Sequence, residues 1–142
     1  MKTEMSIHSG NKVGGVWQVS RETEERQSRD VVKVYTTLFS HPNVEAIVWW
    51  KFTDLIGLNG SPAGLIGRDM SPKPAYDALK KLIKETLWTH VALQTNHNGE
   101  VSFRGFYGDY SVVVSGPSGK THATSFSLRR GVERVEVVLD ET

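Results

Sequence analysis

The chain has 142 residues, with 17 Lys and Arg against 16 Asp and Glu, and no cysteine. That length suits one ordinary domain or two small ones and excludes a complete (β/α)8 barrel, which takes about 250 residues. A net charge of +1 gives no electrostatic reason to expect nucleic acid or an anionic membrane as partner, and the missing thiols exclude disulfides and thiolate metal sites.

A hydrophobic content of 38% with 23% charged residues is that of a globular chain. No stretch reaches the roughly 18 consecutive apolar residues of a membrane span, so no membrane partner is expected. The first ten residues, MKTEMSIHSG, lack the apolar core of a secretory signal.

In chain order, residues 2–7 read as a short strand and 9–20 as a long loop containing glycines. Residues 24–39 read as a helix whose apolar stripe is Val31, Tyr35, Leu38 and Phe39, at i, i+4, i+7 and i+8. His41-Pro42-Asn43 stops it, because the residue before a proline is pushed out of the α region. The apolar run 46–50 inside residues 44–52 then suits a parallel strand covered on both faces. A glycine-rich loop over 53–73 leaves the C-terminal end of that strand, where α/β folds place their sites. A second helix over 74–87 opens at Pro74 and buries Ala75, Ala78, Leu79, Leu82 and Ile83.

These elements make two β/α units, too few to close a sheet. The composition changes near Trp88, and residues 89–142 alternate with period two in Val-, Thr-, Ser- and Gly-rich sequence. Strands are expected at 101–103, 110–114, 121–128 and 132–139, as a small antiparallel β-sandwich. The fold class is therefore α/β plus all-β, divided into residues 1–88 and 89–142.

Local evidence for chemistry is sparse. A carboxylate near a chain start, such as Glu4, ordinarily sits in solvent, and a glycosidase would need a second carboxylate beside it. Spacing does not place Asp54 there. Trp49 and Trp50, adjacent on a strand, point to opposite faces. Trp49 reads as core, whereas Trp50, nearest the strand end, is either core or a face on which a sugar ring stacks. The five histidines, including His8, show no pair at metal-ligand spacing and read as surface or cap residues. No phosphate-binding glycine pattern occurs, so neither a metal nor a cofactor is expected.

Taken together, Thr3-Glu4-Met5-Ser6, then SHPNVEAIVWWKFTD, then GLIGRDMSPKPAYDALKKLI resemble the C-terminal end of glycoside hydrolase family 10 endo-β-1,4-xylanases. WTHVALQTNHNGEVSFRGFYGDYSVVV is similar to the small β-module that follows the barrel in some members. The resemblance implies that residues 1–88 are the last two β/α units of a TIM barrel and 89–142 an accessory β-sandwich. It implies that Glu4 matches the catalytic nucleophile of this retaining family, that Trp50 lines a sugar subsite, and that Asp54 shapes the loop. The substrate implied is xylan or a xylo-oligosaccharide, and the full-length parent is implied to be secreted.

The acid/base glutamate of the family follows an asparagine, and the chain contains no Asn-Glu dipeptide. The resemblance therefore implies a chain that begins inside the seventh strand, lacks about six β/α units, and carries the nucleophile without the acid. Two departures bear on the substrate: Lys51 replaces a motif glycine beside the site, and Leu58 stands where members often carry a second tryptophan. The competing readings are a non-catalytic carbohydrate-binding or accessory protein, and a truncated product without function of its own.

Overall fold

The computed structural model describes residues 7–55, 60–131, 134 and 136. It is a mixed α/β structure that divides into two compact units, Met1–Leu87 and Trp88–Thr142. The expected strand at 2–7 and most of the one at 132–139 lie outside the described residues.

In the first unit, the stretch expected as a loop is a hairpin, β1 (Gly10–Val13) against β2 (Val16–Val19), with Val13 opposite Val16. Its two-residue turn is Gly14-Gly15, with φ of 57° and 84°. Both positions need positive φ, the requirement of a type I′ turn, and glycine meets it without steric cost.

Helix α1 (Arg21–Phe39) begins three residues ahead of the expected start because Ser20 caps it. The Thr23 amide donates to the Ser20 hydroxyl, and the Ser20 amide donates to the Thr23 hydroxyl. This is a capping box with threonine in place of the usual acidic or amide residue. Thr23, Gln27, Val31 and Tyr35 form the buried stripe. Phe39, expected in it, is 45% exposed.

Helix α2 (Pro74–Lys81) continues into a π-helical turn at Leu82–Thr86. Ala75, Leu79 and Leu82 pack with Val31, Tyr35 and Leu65 in the core, with Ile47 and Trp49 against them. Ile83, expected in the stripe, is 39% exposed.

Residues 44–52 form no ladder, contrary to the strand expected there. Their burial nonetheless alternates: Ile47, Trp49 and Lys51 are half-buried, while Val48, Trp50 and Phe52 are exposed. The period is that of a strand, but no segment among the described residues supplies its hydrogen bonds.

The 53–73 loop has structure of its own. The Leu65 and Ile66 amides donate to the Phe52 carbonyl, the Asp54 amide to Ile66, and the Lys73 amide to Leu65. Thr53 thereby bridges Ile66 in parallel, and Ile66 bridges Pro72 in antiparallel fashion.

In the second unit, β3 (Gly108–Ser115) pairs antiparallel with β4 (Thr121–Leu128). Tyr110 lies opposite Phe126, with stacked rings 5.1 Å apart, and Phe103 packs on Tyr110 at 5.8 Å. The Tyr110 hydroxyl donates to the Phe106 carbonyl at 2.6 Å. No strand forms at 101–103, and among the described residues the expected sandwich is a single hairpin. None of the described residues from Trp88 onward is fully buried. One hairpin offers one half-covered face, which is too little to seal a core.

Candidate functional site

The loop that follows residues 44–52 is organised around one buried ion pair. Lys73 Nζ donates to Asp54 Oδ2 at 2.9 Å and to the carbonyls of Gly64 at 2.8 Å and Pro62 at 3.3 Å. The other carboxylate oxygen, Asp54 Oδ1, accepts the Gly64 amide at 2.6 Å. Asp54 is 9% exposed and Lys73 3%. A buried ion pair is tolerated when its remaining donors and acceptors are satisfied, and here three lysine donors and both carboxylate oxygens are used.

Gly64 is required by this packing. A Cβ there would lie 2.7 Å from the Thr53 carbonyl carbon and 2.7 Å from the Asp54 nitrogen. Gln27 of α1 joins the network, its amide donating to the Gly64 carbonyl at 3.3 Å.

Lys51 turns away from Trp50. On extended backbone, neighbouring side chains point to opposite faces, and the Lys51 ammonium donates to the Ser61 carbonyl. The cation expected beside the site is therefore spent on bracing the loop.

His8, read as a surface or cap residue, is instead engaged. Its Nδ1 lies 2.8 Å from the Ser61 hydroxyl and its ring 4.7 Å from that of Trp17. Burial first, then the charges of Lys51 and Lys73, hold its pKa below the ordinary value of 6.5.

Between the hairpin and the 60–73 loop lies an open cleft of about 790 Å³, walled by Trp17, Val19, Glu24, Arg68, Asp69 and Lys73. Its wall is mixed, one aromatic edge beside charged side chains of both signs. Asp69 is occupied locally: hydrogen bonds from the Ser71 hydroxyl at 2.6 Å and amide at 3.1 Å hold its pKa below the usual carboxylate value.

Of the residues singled out from sequence, Trp50 is 95% exposed, its indole on the open face of residues 44–52. Trp49 faces the other way, 6.3 Å from the Tyr35 ring, with its indole N–H donating to the Lys51 carbonyl at 2.8 Å. Asp54 lies in the ion pair. Glu4 and Leu58 fall outside the described residues. Sequence reasoning passed over Lys73, although its place inside the Pro-Lys-Pro-Ala-Tyr segment was the available signal. Among the described residues, no group of three or more histidines and carboxylates is gathered closely enough to hold a metal ion. No helix among them is long and apolar enough to cross a membrane.

No family model matches the chain. It is 33% identical over 109 residues to the anti-sigma-I factor RsgI6 of Acetivibrio thermocellus, covering 76% of this chain and 14% of that protein. It is 27% identical over 122 residues, or 86% of its length, to endo-1,4-beta-xylanases 2 and 3 of Arabidopsis thaliana. The matched part is 11% of the first xylanase and 16% of the second. The chain is thus related in sequence to xylanases, and it spans about a sixth or less of each of these relatives.

Proposed function

We propose that the chain is the C-terminal part of a retaining xylanase of glycoside hydrolase family 10. In this reading residues 1–88 are the last two β/α units of its TIM barrel and 89–142 its accessory β-module. Glu4 is the nucleophile and Trp50 a sugar-stacking residue, while the acid/base carboxyl is supplied by barrel units that precede the chain. Xylan is the substrate and the full-length parent is secreted.

The observation that carries this reading is the state of residues 44–52. Ile47 and Trp49 pack against the core that α1 and α2 share, while Val48, Trp50 and Phe52 are 85%, 95% and 59% exposed. No backbone–backbone hydrogen bond reaches residues 45–51 among the described residues. A segment with strand periodicity, one covered face, one open apolar face and no ladder fits a barrel strand awaiting its neighbours. The relatives named xylanases support the same reading.

In a retaining mechanism Glu4 would attack the anomeric carbon to give a glycosyl-enzyme that water then hydrolyses. The second carboxyl group, about 5–5.5 Å away, would protonate the leaving oxygen. With the nucleophile alone, the isolated chain is inactive.

The test is Glu4→Gln in a full-length parent. Xylan hydrolysis should vanish while stability changes by no more than about 0.5 kcal/mol in thermal unfolding. Retained hydrolysis would overturn the assignment.

The match to an anti-sigma-I factor favours a second reading, in which the same elements serve in a regulatory protein that does not cleave. A parent that retains xylan on a column but releases no sugar from it would favour that reading.

A further inference from the structure

Residues 44–52 have an open edge as well as an open face. Among the described residues, no backbone–backbone hydrogen bond reaches 45–51, whereas the Val44 amide donates to His41 and the Phe52 carbonyl accepts the Leu65 and Ile66 amides. The free run is thus 45–51, and it is centred on Val48, which is 85% exposed.

Its composition favours a ladder. Ala46-Ile47-Val48-Trp49-Trp50 is rich in β-branched and aromatic residues with neither proline nor glycine, and the charges of Glu45 and Lys51 at its two ends cancel. An open edge of that kind is a template for a further strand. Lys51 gives one donor to the Ser61 carbonyl, and an ammonium has two more to offer a carboxylate.

We propose that this segment pairs with the same segment of a second copy of the chain, antiparallel, about a twofold axis at Val48. Contacts of this self-complementary kind are the commonest way for a chain to assemble with itself. In that register Val48 faces its own counterpart, Ile47 faces Trp49, Ala46 faces Trp50, and Glu45 faces Lys51. Opposite charges therefore meet twice, once on each side of the axis, and each tryptophan lies across from a smaller side chain. No other centre pairs these two charges: at Ile47 it would set Glu45 opposite Trp49, and at Trp49 opposite Thr53.

The register also keeps the faces in step. Odd-numbered residues meet odd ones, so the covered faces of both copies stay on one side, while Val48, Trp50 and Phe52 of each join on the other. A ladder this short buries less than the roughly 800 Å² per partner of a stable complex, so the dimer is a transient one that depends on concentration. The pairing rests on residues 44–52 alone and not on the xylanase reading, and its failure would leave the assignment of Glu4 to its own test.

The experiment is sedimentation equilibrium of the whole chain over a concentration series, with the charges then exchanged. The parent should pass from monomer to dimer as concentration rises. Glu45→Lys and Lys51→Glu should each weaken dimerisation about tenfold, because each sets like charges opposite one another. An equimolar mixture of the two variants should recover it, since one copy then brings cations to both ends and the other carboxylates. A parent monomeric up to roughly 1 mM, larger species with no dimer among them, or a mixture no better than its components would each overturn the proposal. Should Lys51→Glu fail to fold, Val48→Cys decides, because the chain has no cysteine of its own. Directly opposed residues of an antiparallel pair have Cα atoms about 4.5–5.5 Å apart, within disulfide reach. Under mild oxidation Val48→Cys should therefore form a linked dimer roughly tenfold faster than Val113→Cys, which is 68% exposed in the second unit. Equal rates would overturn the register.

Discussion

Asp54 and Lys73, nineteen positions apart, meet at 2.9 Å beneath the loop that joins them. The pair closes a loop whose ends would otherwise be held mainly by the short Phe52–Ile66 and Leu65–Lys73 contacts. Lys73 stands at the N-cap of α2 without capping it, since an ammonium has no acceptor for the first-turn amides; its three donors go instead to Asp54, Pro62 and Gly64.

Removing one partner strands the other charge in a site that water scarcely reaches. Lys73→Met or Asp54→Asn should each cost about 3–5 kcal/mol in urea denaturation of the chain. The double variant should cost less than the sum of the two, because no unpaired charge is left behind. Strict additivity would show that the two side chains are not coupled.

Met70 adopts φ of 65° in the turn where the Gly67 amide donates to the Ser71 carbonyl. A side chain with a Cβ is strained there by about 1–2 kcal/mol. Part of that is returned by the greater freedom of unfolded glycine, so Met70→Gly should stabilise the chain by about 0.5–1 kcal/mol. Met70→Val, branched at Cβ, should destabilise it. Denaturant midpoints of the two variants on either side of the parent check the strain.

The two helices were legible in sequence because their buried residues recur at helical spacing. Val31 and Tyr35, and Ala75, Leu79 and Leu82, lie where their periodicity puts them. The hairpin was passed over although Val13-Gly14-Gly15-Val16 carries a two-residue turn signal, because the surrounding glycines made the stretch read as loop. The alternation of residues 44–52 was visible as an apolar run, but a ladder depends on a neighbour that periodicity does not supply. Strand geometry alone sets Trp49 and Trp50 on opposite faces, and the structure has them so, with Trp49 half-buried and Trp50 exposed. The partners of Asp54 and His8 were beyond reach, since Lys73 and Ser61 lie 19 and 53 positions away and join them by the path of a loop.

On the outer face of the second unit, Asp109 accepts the Ser127 hydroxyl at 2.5 Å and the Arg129 guanidinium at 2.9 Å. The serine hydrogen bond is the larger cause, and the arginine charge the second, of a pKa held below the usual 3.8. The group is fully exposed, so the effect on stability is small. What stabilisation it gives is present above the ordinary carboxylate value and is lost as the pH falls towards the folded one. NMR titration of Asp109 should show Ser127→Ala moving it upward further than Arg129→Gln does. The reverse order would make the guanidinium the main cause.

Trp49 and Trp50 are neighbours with opposite roles, and the same substitution separates them. Trp49 is half-buried against the core beside Tyr35, so Trp49→Ala should cost about 2–3 kcal/mol, less than the 3–5 of a fully buried aromatic. Trp50 gives nearly all its surface to solvent, and Trp50→Ala should change stability by no more than about 0.5 kcal/mol. If Trp50 stacks on a sugar in the complete protein, its loss should weaken xylo-oligosaccharide binding there by about 0.5–1.5 kcal/mol, roughly threefold to tenfold. Calorimetric binding by the parent and both variants tells a stacking face from one that other strands cover. In the second case Trp50→Ala would destabilise the complete protein as severely as Trp49→Ala does, because its indole would be core.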